Sequence, residues 1–328
     1  MSSGYKVVRH SFLAERQSGN EVESNQGRAG TATKGTHLND TRLQQTIGQR
    51  VKLQGIGYWS GQEVTLEFTP APPGFGIVFA RRDLPGIPSI PARVMYRTEV
   101  PRRSNLSRGM AAVDMVEHVL AACAGLNIDN CQIIANHAEM PGFDGSSQPY
   151  VDALLGAGIV RQQATRPRLV VTQTLRVEEA EAWIEARPID RGPRRFRYEL
   201  DYPDVPSIGT QVFETELTPQ AFIHEVAAAR TFLTIEEAAM LQKRGCGTRA
   251  NYSDLLVFDQ RGVIQNSLRF ENECARHKLL DMVGDFALAG CDIEAHFIAH
   301  RSGHRLNAEL VRRLLDQFPI EHRYDRAA

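Results

Sequence analysis

"MVEHVLAACAGLNIDNCQIIANH" (115–137) and "KLLDMVGDFALAGCDIEAHFIAH" (278–300) decide how this chain is read. Each runs as a helix of small and apolar residues, an Ala-Gly end, an aspartate and an apolar strand. Each is followed by a loop and a second helix. These are "SSQPYVDALLGAGI" (146–159) in the first case, and "RSGH" (301–304) with "RLNAELVRRLLDQF" (305–318) in the second. Gly125 and Gly290 stand where a helix end takes a residue tolerant of positive φ. Identity between the two stretches is weak, but order and spacing are shared. We read a duplicated α+β unit, each half covering a sheet with helices, with a cleft between the halves of the kind that holds small molecules.

Working outward, residues 1–38 are rich in Ser, Gly, Asn, Thr and charge, and are read as a poorly ordered extension. Strands are expected at 64–70 and 76–82, where β-branched and alternating residues flank "APPGF", and at 131–136, 168–173, 196–202 and 254–258. The polar stretch "RQQATRPR" (161–168) marks the expected boundary between domains at 39–163 and 164–328. The chain has 328 residues, 42% of them hydrophobic and 23% charged, with a net charge of -1. That balance suits a globular core and gives no support to nucleic-acid binding through a basic surface. Arg102-Arg103 and Arg191 to Arg195 read as solvated loops. The five cysteines form no CxxC pair, there is no apolar run of membrane-spanning length and no signal-peptide core, so a reducing, cytoplasmic setting is expected.

His277, Asp281 and Asp285 fall at i, i+4 and i+8 of one helix and line up one turn apart. Two readings stay open on spacing alone: the wet face of a surface helix, or half of a metal site, since His and Asp at i, i+4 can grip one zinc ion. Zinc needs a third protein ligand beside an open position. Glu117 and His118 interrupt the counterpart helix, where a carboxylate is costly to bury without purpose. The bland alternative is that Glu117 faces solvent and His118 is a hydrogen-bonded core histidine. His304 follows a Ser-Gly turn at a helix mouth, either presented to a cleft or simply on the surface, and Asp285 could orient it. Thr231, in "ARTF" (229–232), offers a hydroxyl for an oxyanion. "DGSS" (144–147) reads as turn chemistry with Ser146 or Ser147 as N-cap.

Together these motifs resemble the UDP-3-O-acyl-N-acetylglucosamine deacetylases, zinc amidases of lipid A synthesis. The likeness runs from about 43 to about 320 and is carried by several motifs in order. They are Val116-Glu117-His118 with Ala124-Gly125 and Ile128-Asp129-Asn130; Met140-Pro141 with Asp144-Gly145-Ser146; Ala229-Arg230-Thr231-Phe232; Leu268-Arg269-Phe270-Glu271 leading into Arg276-His277-Lys278-Leu279-Leu280-Asp281; and Ser302-Gly303-His304. The resemblance implies two similar α+β domains, each a β-α-α-β sandwich, with the active site between them. It implies Zn2+ held by His118, His277 and Asp281, with Glu117 as general base. His304 would be the general acid oriented by Asp285, Thr231 the oxyanion support, and Lys278 and Phe232 substrate contacts. The implied substrate is an acylated UDP-sugar, with an apolar acyl channel sought first at 235–250, in a protein expected to be a monomer.

Three stretches depart from the family. Trp59, in Gly55-Ile56-Gly57-Tyr58-Trp59-Ser60-Gly61, replaces the family's histidine beside the substrate. "TRANYSD" (248–254) lacks the usual glycine-rich run, and "PRRSNLSRG" (101–109) is unusually basic. Tyr58-Trp59 and the 248–254 loop motivate one alternative, a zinc amidase on another N-acylated sugar; a second, a non-catalytic sugar-nucleotide-binding homologue, is weighed against by competent residues at every proposed catalytic position.

Overall fold

Alternation of apolar residues builds the strands. Val64, Leu66 and Phe68 are buried along Glu63–Pro70, as are Phe196, Tyr198 and Leu200 along Arg195–Tyr202. The computed structural model describes residues 42–190, 192–252 and 254–321, so the extension read at 1–38 lies outside the described residues. Expected strands at 64–70, 76–82, 131–136, 168–173, 196–202 and 254–258 correspond to Glu63–Pro70, Ile77–Arg81, Cys131–Ala135, Arg168–Val170, Arg195–Tyr202 and Leu256–Phe258.

The duplication is present in the topology. One five-stranded sheet has the spatial order Val51–Ile56, Glu63–Pro70, Cys131–Ala135, Ile77–Arg81, Ser89–Pro91. The other has the order Leu175–Glu179, Ala182–Arg187, His296–His300, Arg195–Tyr202, Gly209–Glu216. In both, the central strand runs antiparallel to the second and parallel to the fourth. The flanking strands repeat as well. Leu43–Ile47 pairs antiparallel with Ile159–Thr165, as Arg168–Val170 does with Ile320–Glu321. A division between 163 and 164 would cut the strand Ile159–Thr165, whose partner lies in the first repeat. The chain passes from one repeat to the next at Arg166-Pro167. The described residues of both repeats belong to one compact unit.

Helices α1 (Glu117–Gly125), α2 (Gln148–Gly156), α4 (Glu273–Phe286) and α5 (His304–Gln317) cover these sheets, while α3 (Ile235–Lys243) lies beside the short strands Phe232–Thr234 and Leu256–Phe258. The Ala-rich α1 is buried along almost its whole length, as expected of a helix apolar all round. It lies against α4, its counterpart in the second repeat. The closest approach is at Gly284, where a Cβ would stand 2.0 Å from the backbone oxygen of Glu117. The two Ala-Gly ends differ. Gly290 takes the left-handed φ of 71°, as expected. Gly125 stays helical and the left-handed residue is Asn127 (φ 57°). Gly125 is required for a different reason, since a Cβ there would lie 2.2 Å from the Phe222 ring. No helix among the described residues is long and apolar enough to cross a membrane.

At the far ends of α1 and α4 the repeats are stitched by charge. Arg42, just before the first strand, spans both repeats: its Nη1 donates to Asp129 Oδ2 at 2.8 Å and its Nε to Asp292 Oδ2 at 2.7 Å. Burial would raise the Asp292 carboxyl, but Arg194, Arg42 and Arg166 outweigh it and hold it well below the usual carboxylate range.

Two predictions follow from this packing. Gly284→Ala gains about 1 kcal/mol of helix propensity but forces a methyl into backbone. Overpacking of this kind costs about 1–3 kcal/mol, more where the obstacle is backbone that cannot rotate away. We expect a lower denaturation midpoint and weaker metal uptake, read by urea melts and metal analysis. For Asp292, the native carboxyl releases its proton at lower pH than the unfolded one. Its stabilisation is therefore present above about pH 4 and lost as pH falls through the depressed native value. Asp292→Asn should flatten the acid limb of stability against pH, measured by urea melts between about pH 5 and 2.

Candidate metal centre

The crossing of α1 and α4 places His118, His277 and Asp281 together, with their ligand atoms within 4.8 Å of one another. All three are buried, at 4%, 3% and 4% exposure, which removes the wet-face reading of α4. Asp281 Oδ1 lies 3.6 Å from His118 Nε2 and 3.5 Å from His277 Nε2. These gaps exceed a hydrogen bond and match the edge of a tetrahedron with zinc-type bonds, about 3.3–3.6 Å. The second ring nitrogen of His277, Nδ1, lies 3.1 Å from Ala229 O, so donation there leaves the Nε2 lone pair facing Asp281. His118 Nδ1 has no partner. Two imidazoles and a carboxylate on one face form a donor set that zinc accepts, so these residues fit a divalent ion.

The supporting contacts reach far along the chain. Arg230 Nε donates to Glu273 Oε1 at 2.8 Å, both side chains almost fully buried, and the Arg230 backbone N–H bonds the same oxygen at 3.1 Å. This pins the 229–232 segment to the start of α4. It fixes the Ala229 carbonyl under His277 and sets Thr231 Oγ1 at 3.2 Å from His277 Nε2. Thr231 Oγ1 donates to Gly145 O at 3.0 Å, so the Asp144–Ser147 turn braces it. Ser147, expected as an N-cap, instead turns its hydroxyl to His118 O at 2.8 Å, and Ser146 Oγ accepts from Gln148 N at 3.2 Å. Phe232 packs edge-on to the His277 ring at 6.3 Å. Lys278 Nζ donates to Asp281 Oδ2 at 2.8 Å. Burial would lower the lysine's pKa, but Asp281 raises it, so the ammonium persists.

Beside this cluster stand Glu117 and His304. Glu117 is buried, and burial raises its pKa against the pull of His304 and His118. Residue Met115, two positions before it, takes φ 59°, a value costly for a side chain. His304 opens α5. Burial lowers its pKa, and a helix N-terminus also disfavours an imidazolium. Asp285 Oδ2, at 2.9 Å from Nδ1, outweighs both and lifts the pKa to about 9. A dication on Asp281 would draw that value back toward neutral.

Ser104 joins the two halves of this machinery, and sequence reading passed over it inside a loop noted only for its charge. Its backbone N–H donates to Glu117 Oε2 at 3.0 Å and its hydroxyl to Asp285 Oδ1 at 2.5 Å. Asn307 Nδ2 donates to Asp285 Oδ2 at 2.8 Å. Every expected site residue thus falls in one place. All of them but the fully buried Asp285 line a cleft of about 980 Å³. Its apolar lining includes Leu200, Phe232, Leu255 and Val257, with Ile235, Ala238 and Leu241 of α3. That helix starts at a capping box, in which Thr234 Oγ1 accepts from Glu237 N and the Glu237 side chain accepts from Thr234 N.

A sequence model of the UDP-3-O-acyl N-acetylglycosamine deacetylase family matches residues 44–316. A curated UDP-3-O-acyl-N-acetylglucosamine deacetylase from Psychrobacter cryohalolentis is 36% identical over 273 residues, covering 83% of this chain and 85% of its own length. One from Trichormus variabilis is 36% identical over 277 residues, covering 83% and 98%. One from Anaeromyxobacter sp. is 37% identical over 273 residues, covering 83% and 88%. With the fold and the clustered side chains already in agreement, the chain belongs to the UDP-3-O-acyl-N-acetylglucosamine deacetylase family.

Proposed function

We propose that this protein hydrolyses the N-acetyl group of a UDP-3-O-acyl-N-acetylglucosamine, giving UDP-3-O-acyl-glucosamine and acetate, the committed step of lipid A biosynthesis. The observation that carries this reading is the convergence of His118, His277 and Asp281 beside Glu117 and His304 in one cleft. The reaction is set in the cytoplasm, and the two repeats serve as its two domains with the cleft between them.

His118, His277 and Asp281 would hold Zn2+. Bound there, the ion polarises the acetamide carbonyl and acidifies water. Glu117 takes the proton of the attacking water. Burial raises its proton affinity above that of an ordinary carboxylate, the direction a general base requires. Thr231 Oγ1 supports the developing oxyanion by turning its hydrogen from Gly145 O toward the substrate. The amine leaves only when protonated, and His304, held as imidazolium by Asp285, supplies that proton. Lys278 offsets the charge of Asp281 and reaches the cleft wall, where it can meet a phosphate. The apolar face of α3, with Leu255 and Val257, receives the acyl chain.

A second reading, an amidase on another N-acylated sugar, is favoured by Tyr58-Trp59 at the cleft rim. Deacetylation assays on the acylated and unacylated nucleotide sugar separate the two: turnover of the acylated substrate alone is expected, and equal turnover of both would remove the lipid A reading. Glu117→Ala should lower kcat by about 10²–10⁴ with metal content retained; unchanged kcat would exclude Glu117 as base. Ser104→Ala keeps the backbone donor to Glu117 and removes the hydroxyl on Asp285. We expect kcat to fall about tenfold, the worth of one buried hydrogen bond, with KM and metal content unchanged. The same change in an Asp285→Asn background should add little, and full additivity would show that Ser104 acts elsewhere.

A further inference from the structure

At the pole opposite the cleft, the C-terminal ends of α1 and α4 frame a second cavity of about 40 Å³. Its polar lining is Arg42, Arg93, Arg166, Arg194, Asp129 and Asp292. Four guanidiniums therefore face two carboxylates. Arg42 alone takes up most of the acceptor capacity, with Nη1 and Nη2 each 2.8 Å from Asp129, and Nε and Nη2 at 2.7 and 3.0 Å from Asp292. Asp129 Oδ2 also accepts the Gln45 N–H at 2.8 Å.

The other three arginines are left short. Arg166 reaches the carboxylates only through Nε, 3.0 Å from Asp129 Oδ1 and 3.4 Å from Asp292 Oδ1. Arg194 Nη1 stands 3.7 Å from Asp292 Oδ1, beyond hydrogen-bond reach. Arg93 finds only the Ala92 carbonyl at 3.5 Å, and its guanidinium lies across Gly290, where a Cβ would meet Nη1 at 1.8 Å. These are the arginines of a segment expected to be a solvated loop and of one given no role. Burial lowers the pKa of both Arg93 and Arg194, with Arg166 adding to it in each case. Two helix C-termini supply partial negative charge of about 0.5 each, which does not balance the excess. These guanidiniums are half-buried, with the Arg166 and Arg194 side chains 14% and 19% exposed, and an anion in the cavity would give them the acceptors that the two carboxylates do not.

We propose that this cavity binds a small tetrahedral oxyanion of the phosphate or sulfate type, held by Arg93, Arg166 and Arg194 in bidentate fashion. The cavity is large enough for such an ion in place of a few waters. The site is separate from the cleft. Glu117 and Gly125 are the two ends of α1, about 12 Å apart at 1.5 Å per residue. The anion would lock the seam between the two repeats at the end away from the chemistry, and this holds whether or not the deacetylase reading does.

Thermal unfolding of the full chain in an oxyanion-free buffer tests it, with ionic strength held constant. Inorganic phosphate at about tenfold over its Kd should raise the Tm by roughly 3–6 °C and then saturate, while perchlorate should not. Arg194→Gln, which also removes a neighbour of Asp292, should gain nothing from phosphate over its own Tm without it. Lys278→Ala, which loses a cation of the cleft, should keep the gain. Loss of the gain in Lys278→Ala with retention in Arg194→Gln would place the phosphate in the cleft and overturn the proposal, as would equal Tm values in phosphate and perchlorate for the parent. Should Arg194→Gln fold poorly, a selenate-soaked crystal of the parent gives the same decision. An anomalous selenium peak between Arg93 and Arg194 supports the site, and an empty cavity at saturating selenate overturns it.

Discussion

The crossing of α1 over α4 at Gly284 is the constraint on which the rest of the molecule depends. A backbone oxygen of one helix sits where any side chain of the other would stand, with 2.0 Å to a notional Cβ. One turn from that contact lies Asp281, and next to it lies Asp285. Only at this separation does His118, carried by α1, come within 3.6 Å of an Asp281 oxygen. The duplicated fold supplies the symmetry of the crossing: each repeat contributes the helix that precedes its central strand. The side chains break that symmetry, because α1 gives Glu117 and His118 while α4 gives His277, Asp281 and the Asp285 carboxylate that holds His304.

Charges this deeply buried persist because each has partners. Asp281 would be destabilised by burial, yet Lys278 and His277 hold its pKa far down. Asp285, fully buried, accepts from Ser104, His304 and Asn307. Such a network is costly when any member is missing and rigid when all are present. Rigidity is the useful property here, since it keeps Glu117, His304 and the His118, His277 and Asp281 cluster at fixed mutual distances. The Arg230–Glu273 pair does the same for the carbonyl beneath His277.

How much of this was legible in the sequence follows from the range of each interaction. Strand alternation and the i, i+4 spacing on α4 are local, so they read correctly, and the repeated Ala-Gly ends exposed the duplication. The metal triad was reached because a repeat makes two distant helices equivalent, supported by the family motifs. Ser104 was not legible: it lies 181 residues from Asp285, in a loop whose arginines drew attention instead. Gly284 carried one faint signal, a glycine inside an otherwise good helix, which costs about 1 kcal/mol and so needs a reason. Gly125 was assigned the wrong reason, because a clash with Phe222 leaves no trace in neighbouring residues.

The three departures from the family are one feature in space. Tyr58, at the Trp59 loop, places its hydroxyl 3.0 Å from both Phe143 O and Asp254 O, and its own carbonyl accepts from Gly247 N at 2.8 Å. The altered 248–254 loop is therefore fastened to the altered 55–61 loop. Trp59 in turn lies under Arg103 of the basic 101–109 loop, with the guanidinium 4.1 Å from the ring centroid. The loop is anchored below by Glu139, which accepts the Trp59 and Ser60 N–H groups at 2.7 and 2.8 Å. None of these contacts involves His118, His277 or Asp281. Trp59 thus belongs to a connected set of aromatic, basic and loop residues at the rim of the cleft, while the His118, His277 and Asp281 cluster is set by the helix crossing. Rim and centre meet at one point, the 101–109 loop, where Arg103 covers Trp59 and its neighbour Ser104 bonds both Glu117 and Asp285, so the basic loop that shapes the rim also holds part of the centre.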